Sequence, residues 1–151
     1  MGEVYFYHLT ERGEAEVLPP LLVRALRQGW RCVVRGRDRA GLERLDAQLW
    51  AGDGFLPHGL AGGPHDARQP VLLTTGEETA ECLLAIDGAA VTSAEVGAAA
   101  RACVLFDGND GAALDRARAL WTTLTGAGCA ARYWSEEEGR WREKARRNVS
   151  G

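Results

Sequence analysis

Apolar and polar residues alternate from Val4 to Leu9, which predicts a first strand carrying Tyr5, Phe6 and Tyr7. After a turn over Thr10–Gly13, Val17, Leu18, Leu21, Leu22, Ala25 and Leu26 recur at helical spacing, which predicts an amphipathic helix over 14–28 closed by Gly29. Pro19 and Pro20 leave two readings of its start: the regular helix begins around them, or it is kinked there. Trp30–Val34 reads as a second strand. Asp38 is placed to cap a helix that runs to Trp50 with Leu42, Leu45 and Leu49 on one face. Residues 51–69 form a long Gly- and Pro-rich loop, the kind that is usually functional or partly disordered. Apolar runs at Val71–Thr74, Cys82–Ile86 and Ala102–Phe106 read as further strands, and 87–96 as irregular. Asp110 or Asn109 caps a last long helix to about Thr125, with Leu114, Ala117, Leu120, Trp121 and Leu124 inward or half-inward. Cys129–Trp134 is a sixth strand, and 136–151 is a charged tail, helical at first and frayed at its end. Strands and helices at this βαβ spacing predict an α/β fold: one Rossmann-like domain over 1–151, a mainly parallel sheet with helices on both faces.

Composition narrows the function. The chain has 151 residues, 46% hydrophobic and 26% charged, with net charge −3. A protein that holds nucleic acid through phosphates is usually basic overall, so direct sequence-specific DNA binding is not expected. The N-terminus has no signal-peptide form and no apolar run is long enough for a bilayer, so a cytoplasmic protein without membrane attachment is expected. Cys32, Cys82, Cys103 and Cys129 are far apart, three of them in strand-like runs. They are expected to be reduced and mostly buried.

A doubly wound sheet invites a search for nucleotide chemistry. The turn from His8 to Gly13 has one glycine and neither phosphate-binding pattern, so no nucleotide-binding glycine loop opens the first helix. His8, His58 and His65 with Asp66 lack metal-ligand spacing, and His58 is expected to hold its loop by hydrogen bonds. No Ser lies in a nucleophile elbow, and Glu77-Glu78 and Glu136–Glu138 read as solvated charge. No cofactor, no metal and no catalytic residue is therefore expected. A binding protein is favoured over the alternative, a small α/β enzyme acting on a nucleotide or nucleic acid.

The stretch R-L-D-A-Q-L-W-A-G-D-G-F-L-P-H-G-L-A-G, from Arg44 to Gly62, brings Trp50 within about five residues of Phe55, Leu56 and Pro57. On composition, both rings cover the core. The motif L-D-x-x-L-W followed by F-L-P-H-x-L-A-G resembles the chi subunit of bacterial DNA polymerase III. So do Y-F-Y-H-L-T near the start, G-W-R-C-V-V after the first helix, Q-P-V-L-L-T-T past the middle, F-D-G-N-D before the last long helix, and the Y-W…G-R-W ending. The likeness covers nearly the whole chain in order, and its central motif is the specific one.

The resemblance implies a non-catalytic accessory subunit in DNA replication that links the clamp-loader assembly to single-stranded DNA-binding protein. Such proteins hold the acidic, Phe-terminated tail of that protein in an apolar and basic pocket. Position by position, the pocket falls on Phe106, Arg118 and Trp121. Leu114 and Thr122 stand where lysines are expected, and Arg116 or Arg132 is the candidate replacement. A bland reading makes Arg118 a surface ion pair with Asp115. The second family surface, matched at Trp50, Phe55, Leu56 and Pro57, implies contact with the psi subunit, another clamp-loader component, or a helicase. With that motif present, partner contact is favoured over core cover for both rings. An adaptor for a repair helicase is a further alternative.

Overall fold

The computed structural model of the protein describes residues 2–51 and 57–149. In chain order the elements are β1 (Glu3–Leu9), α1 (Glu14–Arg27), β2 (Cys32–Arg35), α2 (Arg39–Trp50), β3 (Gly59–Leu60), a 3-10 turn (Asp66–Arg68), β4 (Val71–Thr74), β5 (Cys82–Ala85), α3 (Ser93–Ala98), β6 (Arg101–Asp107), α4 (Gly111–Gly126), β7 (Ala130–Glu137) and β8 (Arg140–Arg147). The strands form one sheet in the order β3-β4-β2-β5-β6-β1-β7-β8. Neighbours run parallel except at β7–β8, which pair antiparallel. The expected single α/β domain with a mainly parallel sheet is what the chain forms.

Side chains alternate across each strand, so β1 supplies both halves of the core. Tyr7 and Leu9 join the layer under α1 and α2, packed by Val17, Leu18, Leu22, Leu42, Leu45 and Leu49. Val4 and Phe6 join the layer under α3 and α4, packed by Val96, Ala117 and Leu124. Strands covered on both faces can be apolar throughout, which is why β2, β4 and β5 are buried along their whole length. Arg35, at the end of β2, is buried because it forks onto Glu95 of α3, with Nη1 to Oε1 at 2.9 Å and Nη2 to Oε2 at 2.7 Å, and donates to the Ala90 and Glu78 carbonyls as well. The cysteines are free thiols, three buried and Cys129 half-buried.

One open reading is settled in part and two local expectations are corrected: the first helix does not begin at its prolines. Helix α1 begins at Glu14 and runs through Pro19 and Pro20. The prolines forgo the bonds their N–H groups would have made to the carbonyls of Ala15 and Glu16, and the buried face of Val17, Leu18 and Leu22 carries the helix past that loss. Within 87–96, Thr92 starts α3: its hydroxyl accepts from Glu95 N at 3.1 Å while Glu95 Oε1 accepts from Thr92 N at 3.0 Å, a reciprocal cap strong enough for a six-residue helix. The charged tail is neither helical nor frayed over 136–147. β7 runs on to Glu137, Glu138 and Gly139 turn with φ of 52° and 73°, and β8 returns along β7. Two positive φ values make the tight loop that suits paired strands. Trp141 fastens β8 inward, meeting Tyr7 edge-on at 5.1 Å. The cations of β8 stay in solvent, where charge on an edge strand blocks further pairing.

Candidate functional site

Helix α4 positions the site. Asp110 caps it by accepting from Ala112 N at 3.0 Å, and Ala117 and Leu124 hold it to the sheet. Arg118 and Trp121, three residues apart, share the face that looks along the helix toward β7. There a groove of ≈ 530 Å³ is lined by His8, Arg118, Trp121, Thr122, Tyr133, Ser135, Lys144 and Ala145.

An aromatic cluster builds the groove floor. Trp121 meets Phe6 edge-on at 5.3 Å and Tyr133 at 5.8 Å, and Phe6 stacks on Tyr133 at 6.3 Å. The Tyr133 hydroxyl lies 2.8 Å from His8 Nδ1 and fixes both rings. Burial, and then the nearby Arg118 charge, hold the His8 imidazole below its usual 6.5, so it is neutral at pH 7. Burial pushes the Tyr133 phenol up, against the pull of Arg118. The rim is cationic. Arg118 is exposed and makes no ion pair among the described residues, so the surface pairing with Asp115 is not formed. Lys144 reaches the groove from β8, where the β7–β8 register shifts beside Tyr133 and Trp134, and it pairs with Glu137.

Of the residues expected to form the pocket, Arg118 and Trp121 meet in this groove; Phe106, Arg116 and Arg132 do not line it. Phe106 is 5% exposed and backs the groove through His8, ring centroids 5.2 Å apart. Arg116 lies two residues before Arg118, about 200° around the helix, and faces a different cavity of ≈ 500 Å³ that also touches Phe106, Asp87 and Asp107. Arg132 points to the sheet's other face and is held by Glu143 at 3.0 Å and Glu3 at 3.6 Å. Leu114 packs half-buried on the core, and the Thr122 hydroxyl donates to the Arg118 carbonyl at 3.1 Å. Sequence reasoning missed Lys144, Tyr133, Ser135 and His8. The Glu-Gly pair at 138–139 was the available signal, since it marks a hairpin that folds Lys144 back beside α4.

The second surface lies at the end of α2. Trp50 is 54% exposed and its ring centroid sits 4.2 Å from that of His58. His58 is buried, with Nε2 at 3.1 Å from the Asp46 carboxylate, and Pro57 is half-buried beside it. Phe55 and Leu56 lie outside the described residues. Among the described residues, no three His, Cys, Asp or Glu side chains form a group that could hold a metal, and no helix is long and apolar enough to cross a membrane.

No curated protein matches the chain. Residues 1–132 match the family described as DNA polymerase III chi subunit, HolC. The chain therefore belongs to the chi-subunit family, whose members are non-catalytic accessory subunits of DNA polymerase III.

Proposed function

We propose that the protein links the DNA polymerase III clamp-loader assembly, in the cytoplasmic replisome, to single-stranded DNA-binding protein by seating that protein's acidic C-terminal tail in the groove between α4 and the β7–β8 hairpin. One observation carries the reading: Arg118, which makes no ion pair among the described residues, stands on the rim of a groove floored by Trp121 and Tyr133. A terminal Phe ring fits against aromatic walls, and a guanidinium without a counter-charge can fork onto the carboxylate that follows it. Lys144 adds a second cation on the opposite rim, in the role the missing lysines of α4 leave open. The experiment is a pull-down and calorimetric titration with the tail peptide, run beside a nucleotide-turnover assay. The adaptor reading expects saturable peptide binding that weakens with salt and fails in Arg118→Ala, with no turnover. Turnover of ATP or GTP without peptide binding would favour the small α/β enzyme instead.

The exposed Trp50 supports a second contact, with the psi subunit, another clamp-loader chain, or a helicase that uses the same patch. A stand-alone adaptor for a repair helicase would use both surfaces equally, and co-purification from a cell extract decides between them.

A further inference from the structure

The turn after β1 is where nucleotide-binding sheets of this class hold a phosphate. Here it holds a side chain. The backbone N–H groups of Thr10, Glu11 and Arg12 all donate to Glu136 Oε1, at 3.2, 3.1 and 3.2 Å. Arg12 Nε donates to the other oxygen, Oε2, at 2.5 Å. The Thr10 hydroxyl donates to the Glu136 carbonyl at 3.1 Å, and Gly139 N donates to the Glu11 carboxylate at 3.1 Å, so the hairpin is fastened over the turn. Glu136 is 2% exposed. Burial alone would raise its carboxyl, but the bonds from Arg12 and from the three amides outweigh that and hold it below the usual 4.5.

We propose that the Thr10–Arg12 turn is a preformed site for a single oxyanion, carboxylate or phosphate, that Glu136 is its resident ligand, and that withdrawing this side chain opens the site to an external anion. Three successive amides converging on one oxygen form an anion-binding concavity whatever molecule supplies the oxygen. The Arg12 guanidinium takes the second oxygen through a single charge-assisted bond from Nε. The first turn of α1 follows directly, so its positive end adds to the attraction. The three amides lose their shared acceptor when Glu136 is gone, and an external oxyanion or water must take its place.

The test uses the full chain carrying Glu136→Ala, melted in acetate, phosphate and chloride at matched ionic strength. Acetate, phosphate or both are expected to raise the melting temperature saturably above the chloride value, the arm that does so showing which oxyanion shape fits. The parent protein, whose site is filled, gives the general salt effect of each anion, and the rise that counts in Glu136→Ala is the saturable excess over it. Adding Arg12→Ala to Glu136→Ala should abolish the selective rise. If Glu136→Ala does not fold in chloride, Glu136→Gln, which keeps the volume, is the folding control, and recovery of Glu136→Ala by acetate or phosphate becomes the readout. A Glu136→Ala protein that responds to acetate and phosphate no more than to chloride overturns the proposal. So does one that stays unfolded in all three while Glu136→Gln folds.

Discussion

The turn after β1 and the groove beside α4 both gather groups that attract anions, yet they stand in opposite states. In the turn, three amides and Arg12 hold Glu136, which is sealed from solvent. In the groove, Arg118 is exposed and makes no ion pair among the described residues, and Lys144 shares Glu137 with Arg142 on the surface. The first arrangement has become a fastening of the fold: every donor is spent, and the fold gains a latched hairpin. The second keeps a donor in reserve next to apolar surface, where a carboxylate arriving with a Phe ring would be partly desolvated and held more firmly than on open surface. A cation's use thus depends less on its presence than on whether the fold has already given it a partner. Arg35 on Glu95 and Arg132 on Glu143 and Glu3 belong with the turn; Arg118 does not.

Breaking the fastened side should give the largest effect. Glu136→Ala leaves three amides and a guanidinium without an acceptor, and chemical denaturation should show a loss of about 3 kcal/mol. The same side sets the acid limit of the parent protein. Arg35 holds the Glu95 carboxyl down to about 2, and Glu136 is held below 4.5. Carboxyls depressed in the folded state stabilise it above their unfolded value and lose that contribution as pH falls through the folded one. Denaturation midpoints should therefore hold steady above pH 4.5 and fall steadily toward pH 2, with a shallower fall in Glu136→Gln. Midpoints that are flat over this range would remove the electrostatic account of the fastening.

At the exposed end of α2, Trp50→Ala should keep its denaturation midpoint and cost about 2 kcal/mol in affinity for the proposed psi or clamp-loader partner. A matching loss of stability with affinity unchanged would return that ring to a core role. Lys144→Ala should cost about 0.5 kcal/mol in tail-peptide affinity, because Lys144 is exposed and already paired with Glu137. A loss as large as that of Arg118→Ala would make the hairpin cation the principal one.

The sheet was legible because its strands are short apolar runs between helix caps, and Asp38 and Asp110 cap where their side chains suggest. The hairpin was not, because E-E-E-G-R-W-R-E reads as solvated charge unless the Glu-Gly turn is weighed above the charges flanking it. That one misreading hid Lys144 and the role of Glu136. Arg118 and Trp121 were chosen through their family positions and helical spacing, and the fold brings them to one groove. Arg116 and Arg132 do not line that groove, since helix phase and strand alternation turn them to other faces, and no residue count on a single element shows what the neighbouring element has already paired.

The central claim is that the Arg118 guanidinium meets the terminal carboxylate of the tail. A double-mutant cycle by calorimetry tests it: parent and Arg118→Ala, each titrated with the tail peptide carrying a free C-terminus and with the same peptide amidated. The account predicts that amidation weakens binding to the parent strongly and to Arg118→Ala very little, because the partner is already gone. If amidation costs both proteins the same, Arg118 does not hold that carboxylate and the groove has been assigned the wrong ligand.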